Sequence, residues 1–138
     1  MTIQTMLSKG FTLKIGSTAV GLLQSLSPGA RTMGSAEQTH LGSSMREFRS
    51  TIGDAGEFSF TVLYDPKDAT HATLEAKIES GVTETWVITG SQATAASTWT
   101  FSAFLTSFEM TVDTVDNLVL ANCTAKKTGS VALVATPT

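Results

Sequence analysis

Apolar and polar residues alternate from Glu57 to Tyr64, so that Phe58, Phe60, Val62 and Tyr64 fall on one side of an extended chain and Ser59 and Thr61 on the other. This period of two predicts a strand with one buried face. The same alternation over residues 11–15, turn chemistry at Gly16-Ser17 and an extended pattern over residues 19–26 predict an opening hairpin that Pro28-Gly29 ends. Residues 82–89 place Trp86 and Ile88 on one side and Thr83, Thr85 and Thr89 on the other. Between residues 98 and 112 the phase changes: Trp99, Phe101 and Ala103 are odd-numbered, whereas Phe104, Phe108, Met110 and Val112 are even-numbered. That slip predicts a bulge or bend near residues 103–105. Residues 117–126 and 130–134 supply two further strand candidates, with turn signals at Asp116-Asn117 and Lys127-Thr128-Gly129.

A different pattern follows Tyr64. Asp65 stands where a helix N-cap belongs, Pro66 suits the first helical position, and Asp68 falls in a first turn whose dipole favours an acid. These signals predict one helix over about residues 66–80. Leu74 and Ile78 form its buried stripe, Ala69, Ala72 and Ala76 permit close approach, His71 lies on the solvent side, and Gly81 marks the stop. Residues 27–56 show neither period. Gly, Ser and Thr dominate there, the basic residues are Arg31, Arg46 and Arg49, and only residues 37–41 and 47–51 look extended. A long irregular segment inside a compact domain is uncommon and usually functional, which predicts an arm that becomes ordered against a partner. Together the elements predict a mainly β fold in one domain over residues 1–138. Its architecture is an antiparallel β-sandwich or partly open barrel of about seven or eight strands with one flanking α-helix.

Composition narrows the function classes. Nine basic residues against twelve acidic ones, a net charge of -3 without any run, leave no electrostatic footprint for gripping phosphates. Residues 85–108 carry no charge, yet Gly90, Ser91, Gln92 and repeated Thr and Ser interrupt every apolar run, which argues against a membrane span. Low charge with many hydroxyls predicts strands whose second face is polar without being ionic. The first residues lack the basic, apolar and small-residue regions of a secretory signal. The lone Cys123 sits in an alternating apolar stretch and reads as a small buried hydrophobe, suited to a reducing compartment.

No pattern marks chemistry. His40 and His71 lie on different elements without a second His or Cys at ligand spacing, and no nucleophile elbow surrounds any serine. Asp54, Glu57, Asp65 and Asp68 do not match a calcium loop and are each explained by a turn, a strand start or a helix start. Gly53 and Gly56 precede a strand and therefore do not form a phosphate cradle. The expectation is no catalytic residue, no metal and no cofactor.

The order of the pieces is the distinctive feature. A long Gly/Ser segment leads into Gly53-Asp54-Ala55-Gly56-Glu57, then an alternating strand, then Tyr64-Asp65-Pro66, a helix and further long strands. With Gly53, Asp54, Gly56, Glu57, Asp65 and Pro66 as its motif, most of the chain resembles the major tail tube proteins of long-tailed, lambda-like bacteriophages. The resemblance implies a structural subunit, not an enzyme, that forms hexameric rings stacked into a hollow tube around a tape measure protein. It also implies tail terminator and distal tail proteins as partners, a virion assembled in the host cytoplasm, and transient passage of DNA. Strands would join across subunits into a lumen-lining barrel, with Ser59, Thr61, Thr83, Thr85, Thr98, Thr100 and Ser102 as lumen-facing candidates. Hydrophilic side chains that are not cationic would let DNA slide without sticking.

The resemblance further implies that residues 27–56 reach neighbouring subunits or the adjacent ring, with Arg31, Gly34, His40, Arg46 and Arg49 as contacts and the N-terminal residues adding to them. There Arg31, Arg46 and Arg49 either pair with acids such as Glu109, Asp113 or Asp116 or stay as solvated surface charges. Some members of that family carry a C-terminal immunoglobulin-like domain; a chain ending at Thr138 leaves no room for one. Two other readings remain: a related tube subunit of a contractile or type VI secretion-like particle, and a stand-alone β-sandwich carbohydrate-binding module, which an exposed aromatic platform would mark.

Overall fold

The computed structural model describes residues 6, 9–91 and 96–135. Among these residues nine strands and one helix follow in the order β1 (Thr12–Ile15), β2 (Thr18–Ala19), β3 (Leu23–Ser27), β4 (Thr32–Glu37), β5 (Phe48–Asp54), β6 (Glu57–Leu63), α1 (Ala69–Ser80), β7 (Glu84–Thr89), β8 (Thr98–Thr111) and β9 (Leu120–Val134). The alternation read in β6 is realised: Phe58, Phe60 and Val62 are buried. β9 answers each of them with a small residue, in the antiparallel pairs Phe58 with Ala125, Phe60 with Cys123 and Val62 with Ala121. Large against small across every pair lets the aromatic rings lie over the neighbouring strand. Phe58 therefore meets Trp86 and Phe101 edge-on, at centroid distances of 5.2 and 5.0 Å. The buried indole of Trp86 donates to the Ala103 carbonyl at 3.2 Å, so the largest core side chain carries no unmet donor.

Seven strands form one antiparallel sheet in the order β2-β1-β7-β8-β9-β6-β3. Its two edges are consecutive in the chain. Only Val20, Gly21 and Leu22 join β2 to β3, a span of at most about 14 Å at the reach of an extended chain. A flat sheet of seven strands would separate those edges by about 29 Å. The sheet must therefore curl into a half-barrel around the core, as the partly open barrel predicted. The remaining strands, β4 and β5, form a separate two-stranded ribbon.

The helix closes the seam. It begins at Ala69, three residues later than its sequence signals predicted, and its N-cap is Asp68, whose carboxylate accepts from the Thr70 amide at 2.9 Å. Asp65 instead organises the turn before it, accepting the Lys67 amide at 3.0 Å, so the Asp-Pro pair starts a turn and not the helix. His71 is not on the solvent side; it is fully buried. Its Nδ1 accepts from the Asp65 amide at 2.9 Å and its Nε2 lies 2.7 Å from the Gly21 carbonyl, which defines the Nε2–H tautomer. Thr70 Oγ1 accepts from the Gly21 amide at 3.2 Å. The first turn of α1 thus pins the short link between the two sheet edges. Leu74 is buried beneath it, and Tyr64 stacks on His71 while meeting Phe108 edge-on.

Two strand boundaries also differ from expectation. The β3 half of the predicted opening hairpin leaves β1 and β2 and pairs with β6 at the far edge. In place of two strands over residues 117–126 and 130–134 with a turn between them, residues 120–134 form the single fifteen-residue β9. The turn residue Gly129, at φ 79°, sits in a register shift against β8, where Thr100 pairs with Ala132 and Ser102 with Thr128. A second shift lies between Leu105 and Ser107. The phase slip read in β8 is thus absorbed by bulges on either side of residues 103–105, and Leu105 still packs in the odd-numbered phase.

Candidate functional site

The arm of residues 27–56 is a β-hairpin. β4 and β5 pair with each other alone, Arg49 standing opposite Ala36, and every residue of both strands is exposed. Without a core face the strands lack the alternation that identified β6. The arm nevertheless displays Met33, Leu41, Met45, Phe48 and Ile52, which are 56 to 108 % exposed. A two-stranded ribbon is marginal by itself in water. These five large apolar side chains lie outside the core, an apolar surface left uncovered among the described residues.

Both ends of the ribbon are ordered by hydrogen bonds. At the tip, Glu47 is the hub: its amide donates to Thr39 Oγ1 at 2.9 Å, its carboxylate accepts from Ser43 Oγ at 2.8 Å, and His40 Nε2 lies 3.4 Å from it. His40 Nδ1 also accepts from the Gly42 amide at 3.1 Å, which holds Leu41 at the apex. At the base, Asp54 Oδ1 accepts from the Gly56 amide at 2.8 Å, and Lys126 approaches Asp54 to 3.4 Å. The hydrogen bond from Gly56 first, and then Lys126, hold the Asp54 carboxyl below the usual carboxylate range. Gly53 pairs with Met33, and Glu57 opens β6 opposite Lys126.

Of the contact candidates, Arg31 precedes β4, Gly34 sits at the β4 register shift facing Thr51, Arg49 lies in β5, and His40 and Arg46 belong to the tip. None of the three arginines forms an ion pair among the described residues. Sequence reasoning did not single out the apolar residues of the arm. Their signal was large side chains in a stretch with no period to bury them.

The second face of the sheet carries many hydroxyls, with Lys14, Glu57, Lys126 and Glu109 as charged positions among them. Across β3, β6, β9 and β8 run the rows Ser27, Ser59, Thr124, Ser107 and Ser25, Thr61, Asn122, Glu109. Thr61 Oγ1 donates to Asn122 Oδ1 at 2.8 Å, and Asn122 Nδ2 to Thr111 Oγ1 at 3.3 Å. On the other half, Thr85 stands opposite Ser102, Val87 opposite Thr100 and Thr89 opposite Thr98. Six of the seven lumen candidates thus lie on strands, in register positions facing away from the core. Thr83 precedes β7 and is exposed.

Among the described residues no group of three His, Cys, Asp or Glu side chains could hold a metal ion. Cys123 is buried, and that burial pushes its thiol up to about 12. No described helix is long and apolar enough to cross a membrane. Phe48 is the sole aromatic among the exposed large apolar residues described.

A family model described as phage tail tube, TTP, lambda-like, matches residues 1–136. Among solved structures, the chain is similar to the tube terminating cap of the anti-feeding prophage (TM-score 0.79, 16% identity, 99% of this chain and 95% of that one). It is also similar to the tail of an empty gene transfer agent particle refined with C6 symmetry (0.71, 12%, 95% and 100%). The SPP1 tail tube is a third (0.66, 12%, 91% and 76%). At these identities the structural likeness shows the fold. No curated protein matches by sequence.

Proposed function

The chain belongs to the lambda-like phage tail tube family, and from that membership we propose that it is a structural subunit of hexameric rings that stack into a hollow conduit for genome delivery. The observation that carries the proposal is the exposed apolar arm, which the isolated subunit cannot cover. Sixfold symmetry of the gene transfer agent tail supports the ring number. Closing the half-barrel sheets of neighbours into one continuous barrel would remove the open edges at β2 and β3.

In this arrangement the second face of the sheet lines the lumen. Ser59, Thr61, Thr85, Thr98, Thr100 and Ser102 offer hydroxyls without positive charge, which suits transient, non-specific passage of DNA. The arm reaches a neighbouring subunit or the next ring. A tape measure protein, a terminator and distal tail proteins complete the assembly, in a virion built in the host cytoplasm, and the role is non-catalytic. Negative-stain electron microscopy of the purified protein tests the reading: stacked rings or tubes are expected, and a persistent monomer at high concentration would overturn it.

A further inference from the structure

The two ends of the long strands differ in chemistry. At one end, residues 112–119 connect β8 to β9; Val112, Val115 and Leu118 are exposed there, Val115 completely, and Val115 stands between Asp113 and Asp116. At the other end, where Thr98 pairs with Val134, the core opens into a cavity of about 330 Å³. Fourteen residues of β8 separate the two, roughly 40 Å along the strand.

Phe11, Trp99, Phe101 and Val131 floor this cavity, with Phe11 and Trp99 stacked at 6.4 Å. Arg31 and Lys127 line it and also line the adjoining cleft of about 520 Å³ beside the base of the arm. Lys127 is only 7% exposed. Its Nζ donates to the Pro28 carbonyl at 2.6 Å and lies 5.1 Å from the centre of the Phe101 ring. Among the described residues no carboxylate pairs with it. Burial first, and then the charge of Arg31, hold its pKa below the ordinary lysine value. A desolvated ammonium beside a second cation, with no counter-ion, is half of an ion pair, and it sits on the rim of an apolar hole.

We propose that this cavity receives the β8–β9 turn of a second copy, Val115 entering against the aromatic floor while Asp113 and Asp116 meet Lys127 and Arg31. The proposal rests on the tube reading and names the partner surface for the ring-to-ring contact. Donor and receptor lie at opposite ends of the strands and do not overlap, so each docking leaves one free turn and one free cavity. Such a heterologous contact leaves a free surface at each end and can repeat head to tail, as stacking into a tube requires.

The test uses two full-length variants at exposed positions, which circular dichroism should show to be folded. Val115→Asp spoils the turn and keeps the cavity; Arg31→Glu keeps the turn and supplies Lys127 with an internal counter-ion. Each variant alone should form no tubes. Mixed in equal amounts, they should combine the intact cavity of one with the intact turn of the other, and analytical ultracentrifugation should show a doubling of mass that neither variant shows alone. Tubes from either variant, or a mixture with no doubling, would overturn the proposal. Doubling in the mixture while the unaltered protein makes no tubes would sink the tube reading and leave the docking intact.

Discussion

Gly29 and Gly56 interlock where the arm leaves the sheet. A Cβ on Gly29 would stand 1.7 Å from the Glu57 carbonyl oxygen, and one on Gly56 would stand 2.2 Å from that of Ala30. Both have positive φ, 77° and 78°. The two chains of the arm therefore cross at backbone contact, which only glycine allows.

Gly56→Ala should combine left-handed strain with this overlap and cost roughly 3 kcal/mol or more. Gly16, in the β1–β2 turn, is the control: its φ is 63°, but nothing lies within 4 Å of an added Cβ. Gly16→Ala should cost about 1 kcal/mol through backbone strain alone. Urea unfolding of the two variants measures the difference, and equal costs would remove the crossing as the reason for Gly56.

Deleting residues 35–44 removes half of β4 and most of the tip but nothing from the buried core. The shortened chain should stay soluble and folded, with an unchanged near-ultraviolet signal from Trp86, and should form no tubes. Tubes of normal length from it would refute the role of the arm.

Lys127 makes a prediction about pH. Its folded pKa is below the ordinary 10.5, so between the two values the unfolded chain holds a proton that the folded chain has released. Stability carried by this group therefore rises with pH in that interval. Lys127→Met lacks the titration. Any stability advantage of Lys127→Met over the unaltered subunit, read from urea midpoints, should be largest near pH 7 and shrink as pH approaches 10.5. A constant difference would show that Lys127 carries no such burden.

Cys123 titrates in the opposite sense. Its pKa is raised from 9.0 to about 12, so above pH 9 the unfolded chain ionises first and this group removes stability as pH rises. Iodoacetamide at pH 8.5 should leave the native thiol unmodified for hours and label it within minutes in 8 M urea, because the thiolate is the reactive form. Rapid labelling of the folded protein would contradict the burial.

Several features were legible in the chain because they depend on neighbours in sequence. The alternation of β6 set which residues enter the core, since successive side chains point to opposite faces. The order of the Gly53–Glu57 turn, that strand and the Asp65-Pro66 turn indicated the family. Other features were decided only by contacts between distant segments. His71 looked like a solvent-facing helix residue until the three-residue link between the sheet edges placed Gly21 against it. Asp65 and Asp68 both suit an N-cap, and the bond from the Asp65 amide to His71 assigns Asp65 to the turn. β4 and β5 had no period to read because neither strand has a buried face in the isolated subunit. Lys127 follows the alternation of β9 into the core at a position where only the crossing of the arm supplies an acceptor, the Pro28 carbonyl. Period and turn chemistry are local; burial of a polar group, and the exposure of an apolar one, depend on what the rest of the fold brings beside it.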